Sequence, residues 1–233
     1  MWARRELHVC TVPDLPSVSS RNARNGELEG LDAEMARALA ARLNVRPVFM
    51  PTTPDAVVGM TERGGCDVAI GGIGISPARA ARVAFTKPYL SGPLAAVTQR
   101  SSGRVQGWAG MDRPGVVVAV AVGNVAEEVM RQQLRSAELF VISPPLNAEQ
   151  EIGAGRADVF VTDHADSRRL REDDMLRVAD APRNVADTLY AYAVPRGNNA
   201  WLAELNAFLA ARKTDGSLAR AATRWNLRDR LVN

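Results

Sequence analysis

The stretch Gly71-Gly72-Ile73-Gly74-Ile75-Ser76-Pro77-Ala78-Arg79 has the residue types and spacing to bind an anion. Glycines directly after an apolar strand let a ligand approach the backbone closely and leave N–H groups free to meet it. Ser76-Pro77 is a helix start, with serine as N-cap and proline in the first helical position. Arg79 then falls in the first helical turn, where a cation opposes the helix dipole. A carboxylate ligand would justify it, because guanidinium grips carboxylate through two parallel hydrogen bonds. A surface ion pair would also account for an arginine there. Gly72 and Gly74 are the candidate N–H donors of this segment, and Arg79 is the candidate anchor.

Three other segments belong to the same chemistry. Gly123-Asn124-Val125 precedes a helix and offers backbone N–H groups to an anion at its N-terminus. Thr162-Asp163 follows an apolar strand and precedes another helix. Asp163 could pair with an ammonium group, and it would serve equally well as an N-cap. Asp166 lies three residues on, on the same helix face, where a solvated acid is common. The fourth segment, Pro13-Asp14-Leu15-Pro16-Ser17, is a turn-forming loop after the first strand. An arginine, free N–H groups and an aspartate suit a zwitterion such as an α-amino acid. They would also suit a dicarboxylate if a protonated acid joined them.

The elements that must position these residues alternate. Leu7–Thr11, Arg46–Met50 and Asp67–Gly71 read as strands, and Leu31–Leu43 and Asp55–Arg63 as the helices between them. Leu31, Met35, Leu39 and Leu43 recur every fourth residue along one face. A β-α-β-α-β run with short connections predicts a parallel sheet. After the turn-rich stretch Pro88 to Pro93 the pattern returns. Strands are expected at Leu94–Thr98, Val116–Val120, Leu139–Ile142 and Val159–Thr162. Helices are expected at Ala126–Leu134, Asn147–Ile152 and His164–Leu170. A last strand, Leu189–Val194, precedes helices at Asn199–Arg212 and Ser217–Trp225. The fold class is α/β, and ligands in such sheets bind beyond the carboxyl ends of the strands.

The 233 residues are 46% hydrophobic and 24% charged, an ordinary globular balance. The net charge of +3 does not point to nucleic acid, because arginines and acids are interspersed without stacking aromatics beside them. No metal-ligand cluster, cofactor motif or nucleophile–base pair is visible, so neither metal nor cofactor is expected. His164 reads as a surface residue at a helix start. No apolar run approaches the ~20 residues that span a bilayer. Met1-Trp2-Ala3-Arg4-Arg5 leads straight towards a strand. That start suits a mature chain whose targeting peptide has been removed, and it suits a cytosolic chain equally. Cys10 and Cys66 are placed at opposite ends of a parallel sheet, which predicts two free thiols.

Several separated motifs resemble one family. They are Gly26-Glu27-Leu28-Glu29-Gly30-Leu31-Asp32, Cys66 through Arg79, and Ala84-Phe85-Thr86-Lys87-Pro88-Tyr89. Gly155-Arg156-Ala157-Asp158-Val159-Phe160-Val161-Thr162-Asp163 and the tail from Tyr192 to Trp225 continue the pattern. Together they resemble the periplasmic solute-binding proteins of family 3, the polar amino-acid-binding type. The resemblance implies a two-lobed periplasmic-binding-protein-like fold of type II, closing on its ligand like a clamshell. Each lobe would be a mostly parallel sheet flanked by helices, with two crossover strands. Lobe one would be residues 1–93 plus 189–233 and lobe two residues 94–188. It implies an extracytoplasmic protein that binds an amino acid or small carboxylate and hands it to an ABC permease. By resemblance Arg79 binds the α-carboxylate with backbone N–H groups at Gly74 and Val125, and Asp163 binds the α-amino group. Within the family, Arg21-Asn22, Pro51-Thr52-Thr53, Gln106, Asp112 and Thr162-Asp163 resemble the cyclohexadienyl dehydratase branch, whose members remove water and carbon dioxide from prephenate or arogenate. The branch's general acid is a glutamate at the position of Asp166, which is one methylene shorter. Other departures from the family pattern are Leu15 and Pro54 in place of aromatics, Gly74 in place of serine, and Asn124 in place of threonine.

Overall fold

The computed structural model describes residues 2–232, apart from the side chains of Trp2, Asp14, Ala165 and Arg169. Strand β1 (Glu6–Thr11) leads into a small antiparallel meander of β2 (Asp14–Leu15), β3 (Ser19–Arg21) and β4 (Leu28–Glu29). Helix α1 (Leu31–Arg42), β5 (Arg46–Pro51), α2 (Val57–Glu62), β6 (Val68–Ala69), α3 (Pro77–Ala80), β7 (Val83–Phe85) and β8 (Leu90–Gly92) follow. Next come β9 (Ala95–Gln99), β10 (Val117–Ala121), α4 (Val125–Gln133), β11 (Glu138–Ile142), α5 (Ala148–Gly153), β12 (Val159–Thr162), α6 (His164–Leu170) and β13 (Leu176–Asp180). The last are β14 (Thr188–Tyr190), β15 (Ala193–Pro195), α7 (Asn199–Thr214) and α8 (Ser217–Arg224). The chain divides into two compact units, Met1–Ser91 with Leu189–Asn233, and Gly92–Thr188.

The first unit is built on a sheet in the order β5-β1-β6-β15-β7. β1 pairs in parallel with β5 and β6, and β15 runs antiparallel to β6 and β7. Helix α1 buries Leu31, Met35 and Leu39, the stripe that the fourfold spacing predicts. It starts at Gly30, where φ is 117° and a Cβ would stand 2.4 Å from the Val18 carbonyl oxygen, so only glycine fits that entry.

The second unit carries the order β11-β10-β12-β9-β13. Period-2 alternation divides its core between the two faces. Leu94, Ala96, Val118, Val120, Val159 and Val161 pack with Ala126 and Met130 of α4 on one face. Val97, Ala119 and Phe160 pack with Ala148 and Ile152 of α5 and Leu170 of α6 on the other. Within this unit the start of α6 comes so near Gly92 that a Cβ there would lie 2.5 Å from the His164 Cβ.

The structure corrects four expectations. Cys10 and Cys66 are not free thiols; they form a disulfide with their Cα atoms 5.7 Å apart. The two strands differ in length: β6 is only two residues long and pairs with Val9 and Cys10, in the second half of β1. The start of β6 therefore lies level with the Cys10 end of β1, and Cys66, two residues before β6, is within bridging reach. His164 is buried rather than at the surface, because the turn into α6 packs on Gly92. The single strand expected over Leu189–Val194 is two, since the chain changes partner at Ala191-Tyr192: β14 pairs with β8 and β15 enters the first sheet. Finally β13, unexpected from sequence, forms an edge of the second sheet with Arg177 and Asp180 among its residues.

Candidate functional site

In the first unit the turn from β6 into α3 carries the expected groups. Ser76 is buried and caps α3, its Oγ accepting from the Arg79 N–H at 3.3 Å. Arg79 is partly buried, and its Nη1 donates to the Gly74 carbonyl at 2.8 Å. That bond folds the guanidinium back over its own glycine segment. Residues 73–75 are held by β14 and the residue after it: Ile75 N–H donates to Leu189 O, Ala191 N–H donates to Ile73 O, and Gly74 bridges to Tyr190.

The glycines have distinct roles. At Gly71 a Cβ would meet Thr11 Oγ1 at 2.8 Å, so this residue is small to let the turn pass β1. Gly72 has φ 64° and lies under Leu15, whose Cδ1 would be 3.1 Å from a Cβ there. The Gly72 N–H is not open to a ligand as the glycine pattern suggests. It donates to Asp32 Oδ2 at 2.8 Å. Leu15 thus covers the Gly72 turn from β2.

Sequence reasoning missed Asp32. It is 1% exposed at the start of α1, and the Tyr89 hydroxyl donates to its carboxylate at 2.6 Å. Burial pushes its carboxyl up to about 6, against the opposing pull of the Tyr89 and Gly72 hydrogen bonds. A signal was present, since Asp32 shares a helix face with Met35, Ala36 and Leu39, all buried. An acid on that face has to be buried with partners or break the packing.

In the second unit Asn124 caps α4, its Oδ1 accepting from the Ala126 N–H at 2.9 Å. Its Nδ2 donates to Asp163 Oδ2 at 3.1 Å. Val125 begins α4 and is buried, and the Gly123 N–H donates to Glu127 Oε2 at 2.8 Å. Asp163 is 8% exposed, and its Oδ1 accepts from the Asp166 N–H at 3.1 Å, so it does cap α6. The other oxygen faces Asn124, which joins the starts of α4 and α6 in one polar patch. The Thr162 hydroxyl donates to Asp166 Oδ2 at 2.9 Å. Asp112 accepts the successive N–H groups of Arg135, Ser136 and Ala137, which hold its carboxyl below the usual carboxylate range. It anchors the turn after α4.

Among the described residues no cluster of three or more His, Cys, Asp or Glu could hold a metal ion. Among them no helix is long and apolar enough to cross a membrane.

The family of bacterial extracellular solute-binding proteins, family 3, matches residues 7–228. The chain is 28% identical over 223 residues to a cyclohexadienyl dehydratase of Pseudomonas aeruginosa, an alignment covering 94% of this chain and 82% of that one. It is 26% identical over 207 residues to an L-cystine-binding protein of Escherichia coli, covering 86% and 75%. Among solved structures, an ancestral amino acid-binding protein described as a precursor of cyclohexadienyl dehydratase superposes with a TM-score of 0.83 at 28% identity, covering 96% of each chain. An ancestral arginine-binding protein bound to arginine gives a TM-score of 0.82 at 26% identity, covering 95% of this chain and 98% of that one.

Proposed function

The chain belongs to the bacterial extracellular solute-binding proteins of family 3, and from that premise we propose that it binds an amino acid or small carboxylate and delivers it to an ABC permease. The observation that carries this reading is the turn built around Ser76 and Arg79. A buried serine caps the helix, and the Nη1 of a partly buried guanidinium is held at a glycine carbonyl. Such an arginine is aimed before the ligand arrives, which lowers the ordering cost of gripping a carboxylate. Gly74 and Val125 are assigned backbone roles beside an anion, and Asp163, with Asn124 at its side, is assigned to an ammonium group. Leu15 over Gly72 is assigned to the ligand's side chain, with Gly72 itself supporting the turn.

The Cys10–Cys66 disulfide supports an extracytoplasmic protein, since such bonds persist in oxidising compartments. The test is a thermal-shift screen of the proteinogenic amino acids and small dicarboxylates, made on protein refolded from denaturant to strip any ligand carried through purification. A ligand at a hundredfold excess over its Kd stabilises by about 2.7 kcal/mol, which moves the melting temperature by several degrees. No shift with any member of the panel contradicts the reading.

A second reading has its own support in the dehydratase relative and in Asp166, an acid at the start of α6. Here Asp166 would give a proton to the departing hydroxyl of prephenate while the ring carboxylate leaves as carbon dioxide. The binding reading leads because the acid at this position is an aspartate, one methylene shorter than the glutamate of the dehydratase branch, and because Leu15 and Pro54 stand where the family pattern has aromatics. Incubation with prephenate separates them: phenylpyruvate formation that is lost in Asp166→Asn would make the protein a dehydratase.

A further inference from the structure

Asp32 takes no part in the reading above, yet its contacts within the first unit reach the glycine turn that leads to Arg79 and the residue just before β8, where the chain leaves that unit. Its Oδ2 accepts from Gly72, two residues before Gly74 and seven before Arg79. Its other partner, Tyr89, directly precedes β8. The Tyr89 ring lies 5.0 Å, centroid to centroid, from that of Tyr192, which follows β14. Both rings are fully buried, and the Asp32 charge pushes the Tyr192 hydroxyl further up than burial alone does.

We propose that Asp32 is a positioning residue for the carboxylate anchor: its carboxylate holds the Gly72 turn, and through it Gly74 and Arg79, against the Tyr89 hydroxyl. The inference rests on the assignment of Arg79 and Gly74 to the ligand carboxylate.

The geometry sets the mechanism. Gly72 is at φ 64° and Gly71 at φ 156°, so the turn draws little rigidity from local preference. A buried anionic acceptor holds the turn at Gly72, ahead of the stretch 73–75 that β14 and Ala191 hold, and a hydrogen bond to a carboxylate is stronger than one to a neutral group. Among the described residues no cation pairs with Asp32, so nothing else fixes its charge. The charged residues of the elements packed on α1 turn to other partners. On β4, Glu29 accepts from Asn22; on α8, Arg224 pairs with Glu34 of α1. On β5 and β1, Arg46 and His8 both turn to Glu6; on β3, Arg21 reaches the Gly26 carbonyl. Within α1 itself Arg37 donates to the Leu28 carbonyl. The titratable groups facing Asp32 are therefore Tyr89 and Tyr192, with Tyr190 acting on Tyr89. Both facing tyrosines have their ionisation pushed up by burial, so Asp32 is the group that titrates below pH 8 in this cluster.

The test follows backbone amide resonances of the ligand-free protein labelled with nitrogen-15 from pH 4.5 to 8. In the wild type, Gly72, Gly74 and Arg79 should shift with one shared midpoint near 6. In Asp32→Asn, which keeps an acceptor oxygen but cannot titrate, the shared step should vanish. Tyr89→Phe removes a hydrogen bond that favours the ionised acid, so its midpoint should rise. A merely structural aspartate would not carry its titration to Gly74 and Arg79. A flat profile at those two residues in the wild type, or a step that survives in Asp32→Asn, overturns the proposal. Because no ligand is present, failure of the pocket assignment registers separately, as an amino-acid ligand that Arg79→Ala still binds.

Discussion

At the residue scale, two charged side chains answer to opposite constraints. Arg79 is the cation expected to meet a carboxylate, and its value lies in planar geometry as much as in charge. Arg79→Lys keeps the charge and loses the two-pronged grip. A hydrogen bond to a charged group contributes about 1.5–3 kcal/mol, so the variant should bind its carboxylate ligand about 10- to 100-fold more weakly by calorimetry. Equal affinity would mean that the guanidinium does not touch the ligand. Asp32 is held against its solvation preference. Its folded carboxyl titrates at about 6 where the ordinary value is 3.8, so the folded state binds the proton more tightly than the unfolded state. Stability therefore falls as the pH rises from about 4 to 6, and the penalty is complete above 6. Roughly two pH units correspond to about 3 kcal/mol. Chemical denaturation of the wild type and Asp32→Asn should diverge by about that amount across this window, and parallel curves would count against it. The Ser76 cap and the place of Arg79 in the first turn of α3 were legible because a serine, a proline and a cation in a first turn are local signals. The burial of Asp32 could be read from its helix face, but its partners could not, since they lie 40 and 57 positions away. Asp163 was left open between cap and ligand group, and the structure shows that it does cap α6 while its second oxygen meets Asn124.

At the scale of elements, periodicity carried most of the fold. The α1 stripe and the alternating faces of β10 and β12 are set by hydrophobic spacing, and those elements lie close to where the spacing puts them. What failed was information outside any one segment. β13 is an edge strand of mixed polarity, so its sequence lacks an apolar run. The break between β14 and β15 depends on which sheet each half joins. The disulfide depended on register: strand order alone suggested distance, while the short β6 brings the two cysteines level. The bridge closes a segment of 56 residues across the centre of the first sheet, within a cluster of Val57, Val58, Ala69 and Ile73. Chain-entropy reasoning gives such a loop about 4 kcal/mol. Replacing Cys10 and Cys66 together by alanine should lower the unfolding free energy by about that much. An unchanged denaturation midpoint would show that the bridge adds nothing to stability.

At the scale of the whole molecule, the family match runs through both compact units, and structures of amino acid-binding relatives superpose over nearly all of the chain. Fold similarity alone does not choose between a binder and an enzyme, since function resides in the site. The side chains at issue are few: Arg79, proposed for the carboxylate, Asp163, proposed for an ammonium group, and Asp166, which a dehydratase would need as its proton donor. On the proposed reading, what this protein recognises is a carboxylate held by Arg79. The most direct measurement is calorimetric titration of the best ligand from the thermal-shift screen into wild-type protein and Arg79→Ala, both refolded free of ligand and both shown by circular dichroism to be folded. Saturable binding is expected with the wild type and no detectable heat with Arg79→Ala. Equal affinity in the two proteins would contradict it.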